Sequence, residues 1–441
     1  MNIETSSTTP NRRHFLQATT AAAVGGSLVG SLAMPRSVHA DGGDTLKVGL
    51  IGCGGRGTQA AADALQADPN CKLIAMADLF QDRLNASRGS LAKSQGTKFA
   101  VNDDHCFVGF DSYKQLLATD VDVVLLTTPP HFRPLHLRAA VEAGKHIFCE
   151  KPVAVDGPGC RSVFETVEMA RAKKLSLVSG LCWRYDLGVR ETVKRILDGA
   201  IGDITSITEN YLTGTLWQNP RQKSWSEMEY QCRNWLYYTW LSGDHIVEQH
   251  IHSLDKALWL NHDEAPLRCY GLGGRQVRTG EEWGHGYDHF AVCFDFPKGV
   301  KVYSYTRQMA NCWSEVEDHV QGTKGTAKVI AHNISGDNAW NYQGPKPNMY
   351  KVEHNELFAS IRSSTPINNG IYMTRSTLMA IMGRMACYSG KNITWDQALN
   401  SIEDLTPAKY AFEDLTVPEV ALPGQDQSGI GAGMIGKKAK T

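Results

Sequence analysis

Gly52-Cys53-Gly54-Gly55-Arg56-Gly57 stands between an apolar run, Lys47-Val48-Gly49-Leu50-Ile51, and the helix-forming Ala60-Ala61-Ala62-Asp63-Ala64-Leu65. A strand that turns through glycines into a helix lets the backbone approach a pyrophosphate and aims helix amides at it. Asp78 closes the next apolar run, 21 positions after Gly57, where a carboxylate accepts hydrogen bonds from ribose hydroxyls. The succession points to a dinucleotide site built on Gly52, Gly54, Gly55, Arg56, Gly57 and Asp78. Asp78 favours NAD, since a carboxylate repels a 2′-phosphate. Arg56 keeps NADP open, since a guanidinium can accept one.

From Leu46 onward, short Val/Ile/Leu-rich runs alternate with amphipathic helices. Strands are expected at Lys47 to Ile51, Lys72 to Ala77, Val121 to Leu126, His146 to Cys149 and Ser176 to Ser179. Helices are expected at Thr58 to Ala67, Gln81 to Leu91, Pro134 to Glu142 and Gly159 to Lys173. This is the pattern of an α/β chain with a doubly wound parallel sheet over 45–180. Beyond Arg184 the runs lengthen and pair, with a hairpin from Tyr287 to Arg307 about Pro297-Lys298-Gly299, which predicts a mostly antiparallel second sheet over 181–400. At 441 residues the chain is long enough for two cores. A helix is expected from Asp244 to Leu260, and further helices from Glu353 to Tyr388 that return to the first part.

The two ends read differently. Arg12-Arg13 precedes an Ala/Gly-rich stretch and the small-residue site Val38-His39-Ala40, the pattern of a twin-arginine signal over 1–40. A polar tail with a chance arginine pair is the alternative. The stretch is too short and too weakly apolar for a stable membrane span. The export reading implies the twin-arginine machinery as a partner and a periplasmic location. Residues 424–441 are Gly- and Lys-rich and are expected to be a disordered tail. A net charge of −1 with no basic stripe excludes nucleic acid as a partner. Eleven cysteines with no Cys-x-x-Cys pair give neither a zinc ribbon nor a full disulfide framework.

Two further segments carry chemistry. Glu150-Lys151-Pro152 follows the strand ending at Cys149, and strand ends of such sheets face the ligand crevice, which places Lys151 near a nicotinamide. On one helix Glu248, His252 and Asp255 fall at i, i+4 and i+7, a single face that aims a carboxylate and an imidazole into one cleft. A neutral imidazole suits removal of a hydroxyl proton. The clustered Asp244, His245, Glu248, His250 and His252 invite a metal reading, but His250 points away from Glu248 around a helix, so no metal is expected.

The glycine turn, Thr127-Thr128-Pro129-Pro130 with His136, the block Ala143 to Pro152 and the Glu248/His252/Asp255 helix together resemble the glucose-fructose oxidoreductase and inositol dehydrogenase (Gfo/Idh/MocA) family. The resemblance spans about Leu46 to Tyr388. It implies a Rossmann domain, a C-terminal α/β domain with an open sheet, and NAD(P). It also implies catalytic roles for Lys151, Glu248 and His252, cofactor contacts from Thr128, Pro129, His136 and Glu150, and a homo-oligomer. One position departs from the pattern: the acid, usually Asp, is Glu248. The extra methylene moves the carboxylate by about 1.5 Å, enough to leave open whether it acts or only orients.

Trp183-Arg184-Tyr185 lies past a strand end, and with Asp255 it is the expected substrate contact, flat apolar faces beside polar groups being suited to a small carbohydrate or glycoside. The aromatics between Trp217 and Trp240 are read equally as core or as sugar platform. An exported enzyme meets no free dinucleotide pool, so the cofactor is expected to stay tightly bound and to be reset in place. Oxidation of one sugar with reduction of a second substrate does this. So does oxidation, elimination, water addition and re-reduction, a redox-neutral glycoside hydrolysis. A non-catalytic sugar-binding protein is the third reading.

Overall fold

The computed structural model describes residues 44–425. The expected twin-arginine segment 1–40 lies outside them, as do residues 426–441 of the expected disordered tail.

Six strands, β1 (Leu46–Ile51), β2 (Cys71–Asp78), β3 (Cys106–Val108), β4 (Val123–Leu126), β5 (His146–Cys149) and β6 (Leu177–Ser179), form an all-parallel sheet in the order β3-β2-β1-β4-β5-β6. β1 and β4 are apolar because helices cover both sheet faces. Val48 and Leu50 pack with Ala60, Ala61 and Ala64 of the helix Gly55–Ala67, whereas Ile51, Val124 and Leu126 pack on the opposite side with Leu137 and Ala140. The strand order reverses between β1 and β4, and their carboxyl ends open the crevice where such sheets bind ligands.

Nine further strands form the second sheet: β7 (Ile204–Thr213), β8 (Arg268–Gly274), β9 (His289–Asp295), β10 (Lys301–Gln308), β11 (Glu315–Gly322), β12 (Gly325–Lys328), β13 (Asn333–Gly336), β14 (Trp340–Asn341) and β15 (Ile393–Thr394). Their order is β14-β13-β12-β11-β7-β10-β9-β8-β15, antiparallel except where β7 runs parallel to β10. The expected hairpin is β9–β10, and its turn uses positive φ at Lys298 (59°) and Gly299 (82°).

The helix Met349–Arg362 returns to the first sheet, with Leu357 and Phe358 joining the Val48 and Leu50 core and Arg362 pairing with Asp68 at 2.8 Å. The helix Gly370–Ser389 packs on β8 and on the helix Gly157–Ala172. β3 and the helix Ser112–Leu117 lie in a stretch where the sequence pattern gave no element, since a three-residue, partly exposed edge strand carries too little periodicity. Among the described residues, no helix is long and apolar enough to cross a membrane.

Asp244 to Leu260 does not form one helix. His245–Glu248 and Ile251–Leu260 are separate, and the amides of Gln249 and His250 both return to the His245 carbonyl (2.9 and 3.1 Å). The His250 ring, fully buried, meets Ser304 Oγ at 2.6 Å, and this anchor breaks the helical phase.

Candidate active site

A cavity of about 300 Å³ opens at the carboxyl ends of β1 and β4. Gly52, Gly54, Gly55, Arg56, Gly57, Asp78, Thr128, Pro129 and His136 line it. The glycines fit distinct needs. Gly57 packs so tightly that a Cβ there would stand 1.9 Å from the Gly52 carbonyl oxygen. Gly52 has φ of +99°, and its Cβ would strike the Thr128 amide at 2.7 Å. At Gly55 a Cβ would meet nothing within 4 Å, so the bare backbone there is open to a ligand. No side chain caps the 13-residue helix at Gly54, which leaves its first-turn amides free for an anion. Open glycines, free amides and an acid at the rim are a donor set that fits a dinucleotide.

Asp78 accepts the amides of Cys53 (2.6 Å) and Phe80 (2.8 Å), and burial pushes its carboxyl above the usual range. One lone pair on each oxygen is thereby used, and the other is left for ribose hydroxyls. Arg83, missed in the sequence, lines the same end of the cavity. Its cue is position, in the first turn of the helix that follows Asp78. Arg56 lines the cavity and is also tied to the fold: its Nε pairs with Glu150 and its Nη2 with Glu353 (2.6 Å), its guanidinium lies 4.7 Å from the Tyr350 ring centre, and its Nη1 is buried without a partner. It braces the helix Met349–Arg362 against the turn.

Glu150, like Lys151, does not line the cavity. Burial works against its charge, but Arg56, Lys151 and Arg133 hold its carboxyl below the usual range, and Oε2 accepts the Lys151 amide at 3.0 Å. Gly180 makes room for it, since a Cβ there would fall 2.7 Å from the carboxylate. His136 stacks on Tyr113 at 4.2 Å and sets Nδ1 3.2 Å from Thr128 Oγ1. Burial brings its pKa down to about 3, so the ring is neutral.

Lys151 leaves the end of β5 and donates from Nζ to Glu248 Oε1 at 2.9 Å and to the Glu248 carbonyl. Both side chains keep slight exposure, 13% and 14%. His252 sits close enough to feel the Lys151 charge. Burial first, and then Lys151 and Lys256, depress its pKa well below the usual imidazole value. Its Nδ1 is buried without a partner. Tyr211, on β7, joins this group: its hydroxyl is pushed up to about 12 by burial and then by the Glu248 charge. Lys151, Glu248 and His252 therefore gather at one place despite the broken helix.

Asp255, on the same unbroken helix as His252, is engaged elsewhere. It is 1% exposed, accepts Arg184 through Nε and Nη2 at 2.9 Å each, and accepts Ser376 Oγ at 2.7 Å. Arg184 also reaches Asp263, and Tyr185, buried, donates to Asn369 Oδ1 at 2.6 Å. Expected as substrate contacts, Arg184, Tyr185 and Asp255 instead tie the first sheet to the second. Trp183, partly buried, packs over Lys256 Nζ at 5.4 Å. Of the residues suggesting a metal, Asp244 and His245 meet at 3.3 Å while His250 turns away to Ser304. Asp244 accepts Tyr388 and the Tyr287 amide, and His245 meets the Tyr287 carbonyl. Among the described residues no group of three ligand side chains could hold a metal ion.

The aromatic stretch divides. Trp217 and Trp235 line the cavity, 6.3 Å apart and edge to face. Tyr230, Tyr237, Tyr238 and Trp240 are buried in the cluster against which Trp235 packs. A C-terminal strap that the sequence did not announce packs against two of the lining residues, with Phe412 on Phe80 and Phe110, and Tyr410 meets His131 Nε2 at 2.7 Å.

Residues 46–180 match the model of an oxidoreductase family with an NAD-binding Rossmann fold, Gfo/Idh/MocA. The chain is 29% identical over 220 residues to the 2,7-anhydro-N-acetylneuraminate hydratase of Escherichia coli, spanning 49% of this chain and only 53% of that protein. It is 29% identical to the inositol 2-dehydrogenase of Rhizobium meliloti, covering 66% of this chain and 76% of that one. The aldose-aldose oxidoreductase of Caulobacter crescentus, solved with glycerol, has the same fold at a TM-score of 0.62 and 19% identity, with 79% of this chain and 99% of that chain covered.

Proposed function

We propose that this chain, whose residues 46–180 carry the NAD-binding fold of the Gfo/Idh/MocA oxidoreductases, oxidises a carbinol of a small polyol or sugar with a dinucleotide it keeps bound. The observation that carries this reading is the meeting of Lys151, Glu248 and His252 at the end of β5, the strand paired with β4, whose own carboxyl end opens on the glycine-lined cavity.

When bound, the dinucleotide supplies a hydride acceptor that no side chain can provide. Gly54, Gly55 and the first-turn amides would hold its phosphates, and Asp78 its ribose. The chain's own groups then manage the proton and the developing charge. His252, neutral at physiological pH, takes the hydroxyl proton. Lys151 donates to the same oxygen and stabilises the negative charge that grows there. Glu248 holds the ammonium in place. The Trp217 and Trp235 rings offer flat apolar faces for C–H surfaces of the substrate.

A retained cofactor is favoured by the rings of Phe80, Phe110, Phe132, Trp217 and Trp235 that line the cavity. It suits the export suggested by Arg12-Arg13 and a periplasmic site of action. Similarity to a hydratase supports the redox-neutral alternative, in which the hydride returns after water has added. Exposed Tyr270, Leu272, Tyr303 and Tyr305 on the second sheet support self-association.

The test is to purify the exported protein, denature it and identify the dinucleotide released and its redox state, then to add myo-inositol, glucose and their glycosides to the intact protein. Reduced nicotinamide absorbance on addition supports oxidation. Free aglycone without any keto sugar supports the redox-neutral route. Release of no dinucleotide overturns both.

A further inference from the structure

Next to Glu248 a row of three polar side chains runs from the buried core to the partly exposed Gln249. Arg278, 3% exposed, donates from Nη1 to Gln308 Oε1 at 2.6 Å. Gln308, 2% exposed, donates from Nε2 to Gln249 Oε1 at 2.8 Å. Thr213 Oγ1 lies 3.5 Å from the same Gln249 oxygen. Gln249 is the partly exposed end of the row, next in sequence to the carboxylate that holds Lys151.

The direction of these bonds is forced. A guanidinium has donors only, so Gln308 must turn its oxygen to Arg278 and its NH₂ to Gln249. Gln249 must then turn its oxygen inward and its NH₂ outward. Arg278 cannot relax this order. Its Nη2 donates to the Tyr287 carbonyl, its guanidinium lies 5.3 Å from the Tyr237 ring centre, and its backbone amide, with those of Gln276 and Val277, is held by Asp288 Oδ2 at 2.7–3.0 Å. Among the described residues nothing accepts from Gln249 Nε2.

We infer that Gln249 is a specificity-determining substrate contact, a hydrogen-bond donor of fixed polarity that Gln308 and Arg278 set as positioning residues. This rests on the proposed oxidation and narrows it: the substrate carries, near the reacting carbinol, an oxygen that accepts a hydrogen bond. A neutral polyol hydroxyl, a sugar ring oxygen or a carboxylate meets that need; an ammonium does not.

Two substitutions invert the polarity from different places. Gln249→Glu puts an acceptor at the outer end of the row. Gln308→Glu keeps the bond to Arg278 but presents only acceptors, so the Gln249 amide turns over and its oxygen faces outward, with residue 249 untouched. With myo-inositol as the probe and reduced nicotinamide as the signal, KM rises about tenfold or more in Gln249→Glu and about threefold to tenfold in Gln308→Glu, while kcat stays within about threefold. Side-chain amide exchange in ¹⁵N-glutamine-labelled protein provides a readout without turnover: the Gln308 NH₂ is protected and the Gln249 NH₂ exchanges fast, and Gln308→Glu protects Gln249. Turnover in the wild type with unchanged KM in both variants, or a protected Gln249 NH₂ in the unliganded wild type, overturns this inference alone. A wild type inert towards myo-inositol, glucose and glucuronate overturns the proposed oxidation and this inference with it.

Discussion

The Lys151 ammonium donates to both the carboxylate and the backbone carbonyl of Glu248, which joins the end of β5 to the short helix His245–Glu248. Two oxygens of one residue thus fix the ammonium while its third proton remains for substrate. Lys151→Met is expected to lower kcat by about 10² to 10⁴ with little change in dinucleotide affinity, measured by stopped-flow nicotinamide absorbance and calorimetry. Glu248→Gln, which keeps an acceptor but drops the charge, is expected to cost about tenfold. An equal loss in the two variants would mean that Glu248 acts directly and does not merely hold Lys151.

On the proposed mechanism, His252 sets the acid limb of the pH profile. A free imidazole would be half protonated near pH 6.5. Burial, and the Lys151 and Lys256 charges, depress the pKa of His252 well below that value. The active form is the neutral ring, so activity is lost only as pH falls through this depressed value. Turnover is expected to stay flat as pH falls through the ordinary imidazole range near 6.5 and to be lost only well below it. A half-maximal rate at pH 6.5, carried by a group that vanishes in His252→Asn, would contradict the geometry.

Arg184 and Asp255 test the correction to the expected substrate contacts. Both are almost fully buried, and each is the other's main partner. Asp255→Ala leaves a buried guanidinium with only Asp263 to meet it and is expected to destabilise the fold by about 3 to 5 kcal/mol in urea. Surviving folded protein should retain the KM of the wild type. A raised KM with normal stability would return Asp255 to the substrate.

What the sequence made legible follows from how local the signals are. β1, the glycine turn and Asp78 lie within 33 residues, and each is set by its own neighbours, so strand, turn, helix and acid could be read in order. The Glu248 to His252 segment was legible as a cluster but not in its phase, because the anchor that breaks the helix is Ser304, more than 50 residues away on β10. Arg56 has the same history. Its partner Glu353 is nearly 300 positions distant, and nothing near the turn announces it. The strap with Tyr410 and Phe412 is irregular chain, whose place is set by aromatic contacts and not by periodicity.

On the proposed reading, Asp78 and Arg83, which line the same cavity, together set the preference between NAD and NADP. Asp78 faces the ribose end with both oxygens already steadied by backbone amides, and Arg83 stands beside it on the cavity wall. Asp78→Ser removes the carboxylate that repels a 2′-phosphate and leaves the Arg83 cation unopposed. NAD affinity is expected to fall about 10- to 100-fold and NADP affinity to rise, measured by calorimetry on protein stripped of its dinucleotide. Asp78→Ser/Arg83→Gln should bind both weakly.

Gly57 provides the sharpest test of the turn itself. Its missing Cβ would lie 1.9 Å from the Gly52 carbonyl oxygen and 2.6 Å from Thr127 Oγ1, the hydroxyl that donates to that same carbonyl. Backbone at such a distance cannot yield without moving β1 or the helix Gly55–Ala67, and both belong to the core that Val48, Leu50 and Ala61 build. Gly57→Ala is therefore expected to abolish dinucleotide retention and to lower the unfolding midpoint. Gly55→Ala, whose Cβ meets no protein atom, should leave the midpoint unchanged and weaken retention alone. Fluorescence of released dinucleotide and thermal denaturation on the same samples separate the two effects. If Gly55→Ala retained dinucleotide as the wild type does, the open backbone at that glycine would not be where the ligand comes closest.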